Sequence, residues 1–371
     1  MSIFVTAAAG TEKPLKAELR EIGVRGIKGD RGGVHVHDDD PMTAARICLG
    51  SRVGIRVMRQ IASFPCPEGD ALYEGVRDIE WERWLTIDRT LSVSAVSKHP
   101  TLNHTQFIAQ RTKDGVVDRQ RKRGGARSDV NRRDPDVAVF VRLEKNRANI
   151  YLDASGRSLH QRGWRKEAGE APLKETLAAA LVGLSGWDRE CTLLDPLAGS
   201  GTIPIEADLW ARRVPPQPAG RRFGFERWAD FDEAAAGEMK RLREAVAART
   251  LDAGPRCLGS DRDAEVLAIA RGNATQAGSE ARFRPSDIRD LPPPSGEPCQ
   301  IVTNPPFGER LETDIQFWQA LPSMLEDLGA KRISVLVPDD APSRMPRHAR
   351  THPVFNGKIR CQLVTWDVGA E

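Results

Sequence analysis

Several things are missing from this 371-residue chain, and each absence excludes a class of protein. No apolar run approaches the roughly 18 residues a membrane helix needs, and the start does not read as a secretion signal, so a cytoplasmic, membrane-free protein is expected. The six cysteines (Cys48, Cys66, Cys191, Cys257, Cys299 and Cys361) contain no Cys-x-x-Cys pair. That argues against a zinc site and against a disulfide framework. His35, His37, His99, His104 and His160 show no i,i+4 metal spacing, so no metal is expected and these residues read as surface or turn histidines. There is no Walker lysine and no dinucleotide Gly-x-Gly-x-x-Gly fingerprint. Repeats and low-complexity tracts do not stand out. A net charge of +3 does not by itself name nucleic acid as a partner.

What is present begins with two loops about a hundred residues apart. Leu193-Leu194-Asp195-Pro196-Leu197-Ala198-Gly199-Ser200-Gly201-Thr202 reads as a buried strand breaking into a glycine turn, with a helix following over Ile203–Arg213. Gln300-Ile301-Val302-Thr303 is a second apolar strand, ending in Asn304-Pro305-Pro306-Phe307. In an open α/β sheet, loops at the carboxyl ends of neighbouring central strands form the ligand crevice. Glycines let a backbone approach a ligand closely, and Pro204 suits the first turn of a helix. The second loop offers an amide, stiff proline turns and a ring, a set suited to a planar base carrying an amino group. Asn304 Oδ1 and the Pro305 carbonyl would hold the amine, and Phe307 would stack on the base for roughly 1–3 kcal/mol. The bland alternative is a pair of ordinary strand-ending turns. Taken together and in this order, the loops point to the cofactor and target halves of an S-adenosylmethionine-dependent amino-methyltransferase.

Further cofactor contacts are expected from strands ending near the same crevice. Cys257–Asp261 reads as the next strand, with Asp261 placed for ribose hydroxyls. Ala281–Pro285 reads as another, after which Asp287 and Ile288 sit where adenine would be read. An aspartate after a strand is also a common cap or turn residue, and Asp263 is expected to cap a helix over Ala264–Gln276.

With those residues in view, the second half resembles the catalytic domain of the THUMP-domain RNA guanine-N2 methyltransferases. The matching segments are Asp195–Glu206, Gly259-Ser-Asp261, Ser286-Asp287, Asn304-Pro-Pro-Phe-Gly-Glu-Arg310 and Phe355-Asn-Gly-Lys-Ile359. Ser155–Arg165 and Ala171–Glu175 resemble the segment leading into that domain. Phe4-Val5-Thr6 through Leu15–Leu19 resembles the family's small N-terminal ferredoxin-like domain. Leu197-Ala198 stands where the family often has Phe-Cys, and Phe307 where many members have tyrosine. The resemblance implies a Rossmann-like class I methyltransferase domain: a doubly wound, mostly parallel α/β sheet with an antiparallel edge. It implies S-adenosylmethionine as cofactor and N2-methylguanosine as product. The RNA target would be 23S rRNA, with tRNA as the alternative and DNA adenine methylation or a catalytically silent assembly factor behind it. The expected division is 1–60 ferredoxin-like, 61–154 THUMP, 155–170 connector and 171–371 methyltransferase, in a monomer.

Charge is uneven along the middle piece. Between Arg111 and Arg133 nine Lys/Arg stand against three Asp. Such a run is usually a solvated face, but its excess also suits a phosphate backbone, which makes Arg119, Arg121, Lys122, Arg123 and Arg127 the candidate RNA contacts. Trp81 and Trp84 are expected in the core. His160 is a candidate for the RNA or the cofactor, and Glu309 and Arg310 for the target base.

Overall fold

In the computed structural model, residues 2–165, 173–294, 299–307 and 315–369 are described. The candidates Glu309 and Arg310 fall outside that set. The described residues form two seven-stranded sheets.

The first half runs β1 (Ser2–Thr6), α1 (Glu12–Glu21), β2 (Ile27–Asp30), β3 (Gly33–His37), α2 (Thr43–Gly50), β4 (Arg56–Pro65), α3 (Gly69–Arg77), β5 (Leu91–Lys98), α4 (Thr105–Gly124), β6 (Val137–Glu144) and β7 (Arg147–Asp153). Its strands pair in the order β2-β3-β1-β4-β7-β6-β5. The ten-residue β4 runs through residue 60 and pairs β1 on one side and β7 on the other, so one continuous sheet serves both expected N-terminal units. In β6, Val137, Val139, Val141 and Leu143 alternate into the core while their neighbours stay partly exposed, the period-2 burial of a one-faced strand. Trp81 and Trp84 are both buried in that core.

The second half runs α5 (Glu175–Ser185), β8 (Thr192–Asp195), α6 (Thr202–Ala211), α7 (Glu233–Ala247), β9 (Cys257–Asp261), α8 (Ala264–Ala277), β10 (Arg282–Pro285), β11 (Cys299–Thr303), α9 (Ile315–Glu326), β12 (Arg332–Pro338), β13 (Arg350–Asn356) and β14 (Ile359–Asp367). The order is β10-β9-β8-β11-β12-β14-β13. The first five strands are parallel, and β14 and β13 add the antiparallel edge. β8 and β11 are buried along their whole length, as sheet strands covered on both faces must be. From β8 the chain winds outward through β9 and β10, then returns to place β11 on the other flank of β8. This reversal of direction creates the crevice at the carboxyl ends of β8 and β11.

The two halves interlock. Phe223, Trp228 and Met239, which lie between α6 and β9 in sequence, are buried in the N-terminal core. Arg59 lies 5.9 Å from the ring centroid of Trp84 and 5.7 Å from that of Trp228. A buried charge cluster crosses the same boundary. Glu206 accepts from Arg162 at 3.2 Å and lies 3.6 Å from Arg52, with all three side chains nearly solvent-free. Burial also pushes the Glu18 carboxyl up to about 7, against the hydrogen bonds it accepts from the Arg52 and Val53 backbone and from Ser51. Removing one member would leave another charge buried and unpaired. Among the described residues no helix is long and apolar enough to cross a membrane, and no cluster of metal-ligating side chains occurs.

Candidate active site

β8 delivers Asp195 to the mouth of the crevice and the chain then turns sharply. Both glycines of the turn have positive φ, +51° at Gly199 and +82° at Gly201, a region that L-residues with a Cβ adopt at a cost. The two glycines serve different ends. A Cβ on Gly201 would lie 2.7 Å from the Phe283 ring and 3.0 Å from the Ala270 Cβ, so this residue lets α6 start tight against β10 and α8. A Cβ on Gly199 would meet nothing within 4 Å among the described residues. Gly199 therefore fronts open space, and its backbone is the part of the loop a ligand can approach. The neighbouring strand braces it: the Gly199 N–H donates to Asp261 Oδ2 at 3.0 Å, and the Ala198 N–H to the Ser260 carbonyl at 2.8 Å. Pro196 opens the turn. Ala198, Ser200 and Thr202 are buried within it.

Asp195 is fully buried, and burial pushes its carboxyl up to about 7 despite the hydrogen bonds it accepts. Both described bonds go to Oδ1, from the Leu197 N–H at 3.1 Å and the Thr303 hydroxyl at 2.6 Å. Thr303 is the last residue of β11, so this bond ties the glycine loop to the Asn304 loop. The two segments that are far apart in sequence stand side by side.

In the second loop Asn304 is half-buried, Pro305 buried, Pro306 exposed and Phe307 half-buried. Phe307 packs against the clusters containing Leu177 and Val302 on one side and Leu194 and Ile301 on the other. Asn304 Oδ1 is shielded from solvent and has no hydrogen-bond partner among the described residues. A buried acceptor left unpaired costs roughly 1–3 kcal/mol and calls for an explanation. An N–H arriving with a ligand would satisfy it.

The outer aspartates are already engaged. Asp261 also accepts from the Asp263 N–H at 3.0 Å, which leaves one lone pair on each oxygen for a further donor. Asp263 caps α8 through the Glu265 and Val266 N–H groups, as expected. Asp287 is gripped by Arg289 through two bonds of 2.9 and 2.8 Å, which holds its carboxyl down to about 2. Its side chain also caps the short 3-10 turn that it opens, while Ile288 is buried in the core. His160 sits half-buried in the connector, 2.6 Å from Ser158 Oγ, and burial lowers its pKa.

The basic end of α4 separates into two kinds of cation. Arg119 is mostly buried; it makes two 2.9 Å bonds to Glu82 and donates to the Arg77 and Asp78 carbonyls. That side chain braces the fold. Arg123 reaches Glu82 at 3.1 Å and Arg121 reaches Asp118 at 3.4 Å, both from exposed positions. Lys122 and Arg127 are exposed. A cavity of about 510 Å³ is lined by Gly186, Cys191, Cys299, Lys331, Arg332 and Asp367. It opens at the amino ends of β8, β11 and β12, opposite the crevice.

Comparison with known proteins matches residues 2–58 to the RlmL ferredoxin-like domain, 68–153 to the THUMP domain and 162–343 to the RMKL-like methyltransferase domain. The ribosomal RNA large subunit methyltransferase K/L of Psychromonas ingrahamii is 35% identical over 378 residues, covering 99% of this chain and 50% of that protein. This chain thus spans about half the length of that relative. A Synechocystis protein, slr0064, with a provisional RNA methyltransferase name, is 33% identical over 373 residues and covers 98% of this chain and 96% of its own. Among solved structures, SMU.472 complexed with SAH superposes with a TM-score of 0.87 at 26% identity, covering 100% of this chain and 98% of that one. Ferredoxin-like, THUMP and RMKL-like methyltransferase units therefore follow one another along this chain, and it belongs to the family of THUMP-domain methyltransferases.

Proposed function

We propose that this chain is an S-adenosylmethionine-dependent methyltransferase forming N2-methylguanosine in structured RNA, with 23S rRNA as substrate. The observation that carries the reading is the orphaned Asn304 Oδ1, buried beside a glycine loop whose Gly199 fronts open space. An aromatic amine needs an acceptor of this kind, because its lone pair is drawn into the ring unless its N–H bonds are fixed. Asn304 Oδ1 and the Pro305 carbonyl accept the two N–H groups and turn the nitrogen lone pair toward the methyl donor. Phe307 supports the base by stacking. The bound cofactor supplies a methyl group on a sulfonium, so catalysis is chiefly positioning. Gly199, Asp195 and Asp261 surround the space for its nucleoside and amino-acid parts, with Ser200, Thr202, Asp287 and Ile288 on the margins. Arg289 fills three of the four acceptor sites of the Asp287 carboxylate, so its backbone and Ile288 are the better-placed contacts.

A stacked guanine cannot reach Asn304, so the base must be exposed or flipped. Arg121, Lys122, Arg123 and Arg127 are the proposed backbone contacts holding the remainder of the RNA. The protein acts as a cytoplasmic monomer. Incorporation of labelled methyl groups into 23S rRNA, tRNA and duplex DNA, followed by mass-spectrometric mapping, tests the proposal. Methylguanosine in 23S rRNA alone supports it. Labelling of tRNA moves the substrate, labelling of DNA adenine replaces the activity, and RNA binding without S-adenosylmethionine binding leaves a silent assembly factor.

A further inference from the structure

The connector between the two halves ends on a guanidinium that grips the glycine loop. Arg165 donates from Nε to Glu175 Oε1 at 2.8 Å and from Nη2 to the Leu173 carbonyl at 3.0 Å. From the same fork, Nη2 reaches Thr202 Oγ1 at 2.9 Å and Nη1 reaches Ser200 Oγ at 3.3 Å. The Arg165 side chain is 14% exposed and that of Glu175 6%. Trp164, immediately before it, is buried with Ile205 and Leu209 of α6, and Arg165 stands 5.2 Å from its ring centroid. The guanidinium is therefore fixed from behind by a carboxylate, a carbonyl and a ring, and presents its remaining donors to the two hydroxyls flanking Gly201.

We propose that Arg165 is a positioning residue for the cofactor loop, holding the Ser200 and Thr202 hydroxyls and with them the backbone that fronts the crevice. The inference rests on the S-adenosylmethionine reading above. Serine and threonine hydroxyls readily bond their own backbone and so favour competing loop shapes. A loop with two positive-φ residues has several such shapes within reach. A planar, permanently charged fork that serves four acceptors in fixed directions selects one of them, and a lysine ammonium on a flexible stem does so less well. With Arg165 donating, each hydroxyl keeps its own hydrogen for a ligand or for the loop.

The test is calorimetry with S-adenosylhomocysteine on wild type, Arg165→Gln and Arg165→Lys, with thermal melts, rRNA affinity and turnover measured in parallel. Arg165→Gln should weaken S-adenosylhomocysteine binding about tenfold or more, or about 1.4 kcal/mol. Turnover at saturating S-adenosylmethionine and rRNA affinity should stay near wild type, so the defect appears in KM for the cofactor and not in kcat. Arg165→Lys should recover part of the affinity. If Arg165→Gln does not fold, Arg165→Lys decides: an intermediate loss supports the assignment and wild-type affinity overturns it. Unchanged affinity in folded Arg165→Gln, or a parallel loss of rRNA affinity and melting temperature, overturns the positioning role alone. A wild-type protein that binds no S-adenosylhomocysteine overturns the cofactor reading and this inference with it.

Discussion

Asp195→Asn tests the electrostatics of the crevice most directly. The carboxyl is fully buried and titrates at about 7. The proposed cofactor carries a sulfonium and an ammonium, so it should bind the ionised form of Asp195 more tightly. With a pKa near 7, about nine-tenths of the carboxyl is ionised at pH 8 and about one-tenth at pH 6. Binding that requires the anion should therefore weaken about tenfold between pH 8 and pH 6, or about 1.4 kcal/mol. Asparagine keeps the acceptor oxygen for the Leu197 N–H and the Thr303 hydroxyl but carries no charge. Its affinity should be lower at pH 8 and should lack this component of the slope. The cofactor's own amino group also titrates in this range, so the difference between the two proteins carries the test. Linkage gives a second readout. A raised folded-state pKa means stability that is whole below the unfolded value of about 4 and is lost as pH climbs to about 7. Asp195→Asn should remove that loss and melt higher than wild type at pH 8. Calorimetry at pH 6, 7 and 8 measures the binding effect. The same slope in both proteins would refute the placement of the cofactor's charge beside Asp195.

Asn304→Ala should lower turnover by about 100-fold or more, in line with roughly 2.7–4 kcal/mol for a positioned hydrogen bond to a reacting group, while S-adenosylhomocysteine affinity stays within a few-fold; more than about a tenth of wild-type turnover would sink its role. Gly201→Ala should lower the melting temperature sharply, because its Cβ would strike Phe283 and Ala270. Gly199→Ala should cost about 1–2 kcal/mol from φ alone and act mainly on cofactor affinity, so equal melting losses would contradict the division of roles. Replacing Arg121, Lys122 and Arg123 by alanine should reduce the log–log salt slope of RNA binding by up to about two to three units. Arg119→Ala should instead lower stability, because Glu82 loses its two bonds from Arg119 and keeps Arg123, and two carbonyls lose their donor; it should leave that slope unchanged.

Much of the fold is written in local patterns. Cys257–Asp261, an apolar start running into small residues, forms β9 as read, and Asp263 caps α8 as read. The order of glycine loop and Asn-Pro-Pro loop, each closing an apolar strand, also sufficed to expect them on neighbouring strands, and β8 pairs directly with β11. These features depend on side-chain period and turn chemistry within about ten residues, information each segment carries alone.

Other assignments waited for the tertiary structure. The charge run from Arg111 to Arg133 looks uniform in sequence, yet Arg119 turns inward to Glu82, from a separate segment, while Lys122 stays in solvent. Asp287 reads as an adenine contact, and only the structure shows Arg289 holding its carboxylate. Gly201, expected to make room for a ligand, makes room for Phe283, whereas a Cβ on Gly199 would meet none of the described residues. Phe223 and Trp228 belong in sequence to the methyltransferase half but bury themselves in the N-terminal core. In sequence Arg165 is one of three arginines between Ser155 and Arg165, and only its four acceptors distinguish it. For Arg119, Gly201 and Arg165 the deciding quantity is which sequence-distant group stands within about 3 Å. The packing of the whole chain sets that distance, because a charge or a missing Cβ acquires its role only from the atoms placed opposite it.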